Sequence, residues 1–305
     1  MLTRDEWLVA ISAPDSTAAV RELIGIGHPT ARFAFPAYPR QFSMLPLLQL
    51  ACTEQCPLTF NLSGTRLLSR YRACLPPQLE TVRTLLDARA DVRETDAGDI
   101  QSALVCAVAS YHVPLIALLL SRSVGGGEPI QCYVSRLGHT VMHEWAVASP
   151  VLHKDEQDYE AVLDCLAALH PPPPFEHADH RGVTPLLMAS KCRARGVITY
   201  YRMLEMRGMA VDLDYMDHAH RAALHSIVDL SPEQTPPRDP TETTEDRVEA
   251  MVFLLEHGAD AFVGGSDESM MLSTPAKIIE NNKGCGADAL REAFAAFQRR
   301  KRPRH

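Results

Sequence analysis

The sequence predicts an all-α solenoid of about six to seven helix–turn–helix units joined by hairpin loops, with long insertions in alternate units. Three observations carry this. A short joint recurs along the chain and is clearest in "DHRGVTPLLMAS", residues 179–190. An amphipathic segment with paired large apolar residues follows each joint. The joints return at intervals of several tens of residues, the mark of stacked units that each bury a face against the next.

The joint comes first. Copies centred on Thr140 ("LGHTVMHEWA"), Ala222 ("HAHRAALHSI") and Thr274 ("SMMLSTPAKI") match the one at Thr184, and weaker copies lie at Leu45 ("FSMLPLLQLA") and Ser102 ("GDIQSALVCA"). Each reads as a turn, a small or threonine residue, and an apolar helix start. Thr184 suits a helix cap, because its hydroxyl can accept from the free N–H groups of the first turn. Pro185 suits the first helical position, where a missing N–H costs nothing. Thr274 and Pro275 repeat the pair, and Gly138 and Gly182 suit a turn with unusual backbone angles.

The second element is "ETVRTLLDARADV", "VPLIALLLSRSVG", "YEAVLDCLAALHP", "ITYYRMLEMRGMAVD" and "VEAMVFLLEHGADAF" in successive units. Each has the spacing of a helix that buries one stripe. Trp145 falls near the buried phase of its own short helix and is expected in the core.

These residues resemble the ankyrin repeat family. "DHRGVTPLLMA" is similar to its D-x-x-G-x-T-P-L-H-x-A, and "FLLEHGADAF" to its L-L-x-x-G-A-D. Tyr111 and His112 stand where the family usually has Gly-His. The resemblance implies one solenoid over 1–297: an N-terminal capping unit (1–39, with helices at 4–11 and 16–24), repeats over 40–282, and a C-terminal capping helix (283–297). A basic disordered tail, 298–305, would follow. It also places His143 and His225 in the family's histidine slot, where the ring hydrogen-bonds to nearby backbone.

The spacing departs from the family period of about 33. Joints are 57 residues apart from 45 to 102, 38 from 102 to 140, 44 from 140 to 184, 38 from 184 to 222, and 52 from 222 to 274. Most of the extra length falls between the two helices of a unit, at roughly 54–78, 149–157 and 229–246. Insertions there should decorate the edge away from the hairpins. The last, "DLSPEQTPPRDPTETTED", reads as a solvated loop.

Composition narrows the function. The net charge is −8, although Arg299, Arg300, Lys301, Arg302 and Arg304 crowd one end. An acidic body argues against phosphate-backbone binding except through that basic tail. The tail also has the character of a nuclear-import signal. "MLTRDEWLVAISAPDS" has acidic residues where a secretory signal needs a basic start. Ser110, Tyr111, His112 and Pro114 break the apolar run 103–120, so two short buried helices are expected there and no membrane span. Eight scattered cysteines with no C-x-x-C pair favour free thiols and an intracellular, cytoplasmic or nuclear setting.

Candidate chemistry is sparse. His177, Asp179 and His180 cluster, as do Asp212, Asp214, Asp217, His218 and His220, but polar residues belong on hairpin tips whatever the function. His139 and His143 have helix-like ligand spacing, yet His139 precedes the cap Thr140. No nucleophile elbow or phosphate loop occurs, and "VGGGEP" at 124–129 reads as a lengthened hairpin. No catalysis, metal or cofactor is therefore expected. The resemblance implies a monomeric protein–protein interaction module that binds through its concave face and hairpin tips, with Tyr133, Arg136, His177, His180, Tyr215 and His218 as contact residues. The acidic body points to a partner with a basic surface. The alternatives are an adaptor that holds a substrate for a larger machine such as a ubiquitin ligase, in a virus or pathogen acting on host targets, and, further off, a metal-dependent enzyme.

Overall fold

A computed structural model describes residues 18, 21, 32–33, 45–46, 79–93, 95, 102–109, 111–123, 129–147, 156–230, 242–264, 273–283 and 286–301. It is mostly helical. The chain divides into two compact units, Met1–Phe175 and Glu176–His305, and each is described by itself.

Unit 1 holds a short antiparallel pair, β1 (Arg32–Phe33) and β2 (Leu45–Pro46), with Arg32 opposite Pro46 and Phe33 opposite Leu45. Its helices are α1 (Leu79–Asp87), α2 (Ala103–Ala109), α3 (Val113–Arg122), α4 (Val141–Val147) and α5 (Glu156–Ala167). A 3-10 turn, Ile130–Cys132, precedes α4. Helix α2 packs on α3 and α4, while α3 packs on α1 and α5, so first and second helices form two rows. Leu85, Leu104, Leu115, Ile116, Leu119, Met142, Trp145 and Leu166 are enclosed between them. Full burial of such a side chain stabilises by about 1.5–3 kcal/mol. Trp145 lies in the core, as its helical phase predicts, and its backbone carbonyl accepts from the buried Tyr111 hydroxyl at 3.4 Å.

Unit 2 holds α6 (Pro185–Cys192), α7 (Ala194–Met206), α8 (Ala223–Val228), α9 (Thr244–Glu256), α10 (Pro275–Asn281) and α11 (Ala287–Lys301). Helices α6, α8 and α10 pack in series, as do α7, α9 and α11, and each first helix also lies on its own second helix. Val197, Tyr200, Ile227, Met251, Leu254 and Leu290 fill the space between the rows.

The caps follow the sequence. Thr184 Oγ1 accepts from Leu187 N–H at 3.3 Å, and Thr274 Oγ1 from Lys277 N–H at 3.3 Å, with Pro185 and Pro275 in the first turns. Ser102 Oγ accepts from Val105 N–H at 3.3 Å. Ala222 has no side-chain acceptor for a cap. At that joint His225 Nδ1 accepts from Ala222 N–H at 3.0 Å, as His143 Nδ1 does from Thr140 N–H at 3.1 Å. Both histidines take the backbone-bonding role that the resemblance implies.

A six-residue turn recurs before three first helices. Asp179 N–H donates to Val183 O (2.9 Å) and Gly182 N–H to Asp179 O (2.9 Å), while Asp179 Oδ1 accepts from the N–H groups of Arg181 (2.7 Å) and Val183 (2.8 Å). Asp217 does the same. Its Oδ1 accepts from Ala219 N–H (2.9 Å) and Arg221 N–H (3.0 Å), its own N–H donates to Arg221 O (3.2 Å), and its carbonyl accepts from His220 N–H (2.8 Å). Ser135 is the third copy. Its Oγ accepts from Leu137 N–H (3.3 Å) and His139 N–H (3.0 Å), with Ser135 N–H to His139 O and Gly138 N–H to Ser135 O both at 2.8 Å. All three first residues are buried, so their side chains answer N–H groups that water does not reach.

The fourth residue of each turn is left-handed: Gly138 (φ +80°), Gly182 (φ +74°) and His220 (φ +55°). Left-handed residues also end α1 (Arg89, +68°), α7 (Gly208, +67°) and α9 (Gly258, +106°). The next N–H then reaches back to a paired leucine's carbonyl: Ala90 to Leu85 (3.0 Å), Met209 to Leu204 (3.1 Å) and Ala259 to Leu254 (2.9 Å). Tyr111, in the Gly-His slot, is left-handed as well (+51°).

Several expectations change. The weak joint at Leu45 does not begin a helix: Leu45 and Pro46 are extended and paired, a setting that Pro tolerates at an edge. The last helix runs to Lys301, so 298–301 are helical where a disordered tail over 298–305 was expected. Arg299, Arg300 and Lys301 sit favourably at its negative C-terminal end. The insertion expected over 229–246 closes earlier, because Thr243 and Asp246 cap α9 reciprocally (3.2 and 2.9 Å). Of the N-terminal helices expected at 4–11 and 16–24, only Ala18 and Arg21 are described, and both are helical. The insertion 54–78, most of 149–157, the stretch 124–128 and residues 302–305 lie outside the described residues.

The left-handed positions make a paired prediction. Gly182→Ala places a methyl 2.9 Å from the His218 ring at φ +74° and should cost about 1–3 kcal/mol. His220→Gly removes a side chain from the same backbone state and should be neutral or stabilise by up to about 1 kcal/mol. Urea unfolding midpoints report both; no loss in Gly182→Ala, or a loss in His220→Gly as large as that in Gly182→Ala, would contradict the assignment of these two positions to one turn geometry.

Candidate functional site

The turns place all six sequence-predicted contact residues on two repeated positions. Tyr133, His177 and Tyr215 each stand two residues before a buried turn residue, Ser135, Asp179 or Asp217. Arg136, His180 and His218 each stand one residue after it, and all three are exposed. The turn explains this split. The first residue must face inward to reach two backbone N–H groups, which leaves the next side chain projecting outward. Tyr133 and His177 are partly buried and Tyr215 is 37% exposed.

Within unit 2 these positions belong to adjacent tips. His218 N–H donates to Arg181 O at 2.9 Å, and Asp260 N–H to Asp214 Oδ1 at 2.9 Å. The tips around residues 179–183, 214–221 and 260–263 are therefore tied in sequence order. They expose His180, Arg181, His218, His220, Tyr215 and Phe262. Phe262 was not foreseen and is 63% exposed, its N–H held by Asp260 Oδ1 at 2.8 Å. The available signal was an aromatic residue just after G-A-D, where a polar turn residue is usual. Tyr133 and Arg136 lie in unit 1. Tyr133 helps line a depression with Val92, Arg93, Ser102, Pro129 and Ile130.

Beneath the unit 2 tips lies a charged layer. Lys191 Nζ meets Asp217 Oδ2 at 2.5 Å with both side chains largely enclosed. Burial pushes the Asp217 carboxyl upward, but the hydrogen bond and charge of Lys191, with the N–H groups of Arg221 and Ala219, outweigh it and hold the carboxyl below its ordinary value. Arg221 bridges Asp229 Oδ2 (2.7 Å) and the His225 carbonyl (3.3 Å).

The candidate metal residues do not converge. Asp179 Oδ1 is taken up by the turn, and the His143 ring by Thr140. His139 stacks parallel on His143, centroids 5.2 Å apart, and its Nδ1 lies 3.5 Å from Glu144 Oε1. Among the described residues no group of three His, Cys, Asp or Glu side chains is set to hold a metal ion, and no helix is long and apolar enough to cross a membrane. Cys106 and Cys192 are buried, and burial pushes the Cys165 thiol upward, which keeps it protonated. Cys52 and Cys56 lie outside the described residues.

Comparison with protein-family models and with curated proteins finds no match to this chain.

His225 makes the layer sensitive to acid. Burial pushes its imidazole down to about 4, aided by the Arg221 charge and opposed by Asp217, Asp229 and a hydrogen bond to the Ser273 backbone. Its folded value is thus below the unfolded one, near 6.5. The stability it contributes is complete above pH 6.5 and is lost as the pH falls through 4, a change of up to about 3 kcal/mol. Urea midpoints should drop over that window in the native chain and drop less in His225→Asn; matching pH slopes would contradict the prediction.

Proposed function

We propose that this chain is a divergent ankyrin-type repeat protein that works by protein–protein recognition, without catalysis, and presents its hairpin tips to a partner. One observation carries this reading: the same turn recurs at Ser135, Asp179 and Asp217, closed in each by a buried side-chain oxygen, while the side chain just after it, Arg136, His180 or His218, faces solvent. A constant scaffold that projects one side chain outward from each unit is the logic of a recognition surface on a repeat stack. His180, Arg181, Tyr215, His218 and Phe262 form the proposed contact set in unit 2. Aromatic and Arg side chains carry much of the energy in protein interfaces. The net acidic charge favours a partner with a basic surface, and Asp212 at the tips adds to it.

The test is affinity capture from cell extract with the full chain and with a His180→Ala, Tyr215→Ala, His218→Ala, Phe262→Ala variant. The four residues are surface-facing, so the variant's melting temperature should stay within a few degrees of the parent. At least one reproducible partner should be lost with the variant and released from the native chain by raised salt. An unchanged set of captured proteins would overturn the proposal.

A further inference from the structure

We propose that unit 1 presents the proline run 171–174 as a docking ridge for a small domain whose aromatic pocket clasps a single Xaa–Pro step, of the kind found in WW domains. The ridge is independent of the recognition role proposed for the unit 2 tips. The run belongs to "HPPPPF", residues 170–175, and follows the end of α5 at Ala167. Proline fixes φ at about −65°, and a residue before proline is pushed out of the helical region into extended backbone. Pro171, Pro172 and Pro173 each meet both conditions, so local sterics set them in a polyproline II helix. The bonds within the run are trans, and no α-helix or strand covers it.

Burial shows which edges are open. A polyproline II helix has about three residues per turn and so three edges, one of them shared by Pro171 and Pro174. Pro173 is buried, Pro171 and Pro172 are exposed, and Pro174 is half-buried. One edge therefore packs on the fold and two face outward. The run is also held in place. Gln131, a buried residue in the turn before α4, donates from Nε2 to Pro171 O at 3.0 Å, and Cys132 Sγ donates to Pro172 O at 3.8 Å. Phe175 is buried and anchors the chain just after the last proline. A ridge preset in this way loses little freedom when a partner closes on it.

The open edges select the partner. Proline-recognition domains seat the rings of such a helix between aromatic side chains. Two consecutive open prolines, Pro171 and Pro172, offer one Xaa–Pro step to one pocket. A groove with two successive pockets, as in SH3 domains, needs a second open step, and there Pro173 is turned into the fold. Charge narrows the class further. Glu160 and Asp164 are exposed one turn apart on α5, the helix that leads into the run. They favour a pocket with a basic rim.

A panel of purified, immobilised WW and SH3 domains, probed with the full chain, tests this. At least one WW domain should capture the native chain, and excess acetyl-decaproline-amide should release it. Pro172→Ala changes an exposed position, so its melting temperature should stay within a few degrees of the parent. That variant should bind the same WW domain at least tenfold more weakly. If it fails to fold, decaproline competition on the native chain provides the readout. The four-residue tip variant should be captured as the native chain is, which keeps this outcome apart from that of the tip proposal. Capture by no WW domain, capture by SH3 domains alone, capture that decaproline does not compete, or undiminished capture of folded Pro172→Ala would overturn the assignment.

Discussion

A buried side-chain oxygen at the first position of each tip turn, from Ser135, Asp179 or Asp217, is the interaction on which the rest of the fold hangs. Each turn reverses the chain within six residues, so its inner N–H groups lose water before any helix can accept from them. One oxygen answers two of those donors and holds the turn closed. Removing it would strand both, at about 1–3 kcal/mol each. Asp217 carries more than the others, since it also pairs with Lys191 on α6 and so ties its turn to the first helix of the preceding helix pair.

Other features follow from that closure. The turn delivers the chain to the start of a first helix at a fixed angle, where Thr140, Thr184 or the His225 ring satisfies the first free donors. The fourth residue must be left-handed, a state that Gly adopts freely and His220 only with strain. With entry and exit set, first helices meet first helices and second meet second within each unit, and the apolar stripes have no other place to go. The outward residue of each turn plays no part in this geometry. It is free to vary, which is why a contact surface there costs the fold little.

Much of this was legible in the sequence, because the caps are local. Thr-Pro before an apolar run has one good structural use, and both copies have it. The second-helix segments were equally plain from their apolar pairs. Other features needed the structure. Ser135 does the work of an aspartate in its turn, a substitution that composition alone does not flag. Arg89, Tyr111 and His220 occupy left-handed positions where sequence reasoning looks for Gly. The extended pair at Leu45 broke the expected pattern because its partner, Phe33, is distant along the chain and pairing is not a local property. Of the site, the six named residues were chosen for chemical type, yet they share two turn positions. Phe262 escaped because exposure is a fact of three-dimensional packing.

Native-state amide exchange tests the central claim most directly. The Arg181, Val183, Ala219 and Arg221 amides lie in turns at the tips, where ordinary loop amides exchange quickly. If one buried carboxylate oxygen holds each pair, these four should be protected nearly as well as amides within α6 and α8. Asp179→Ala should then release Arg181 and Val183 and leave Ala219 and Arg221 far less affected. Exchange of all four at loop rates in the native chain, or unchanged protection of Arg181 and Val183 in Asp179→Ala, would contradict the account.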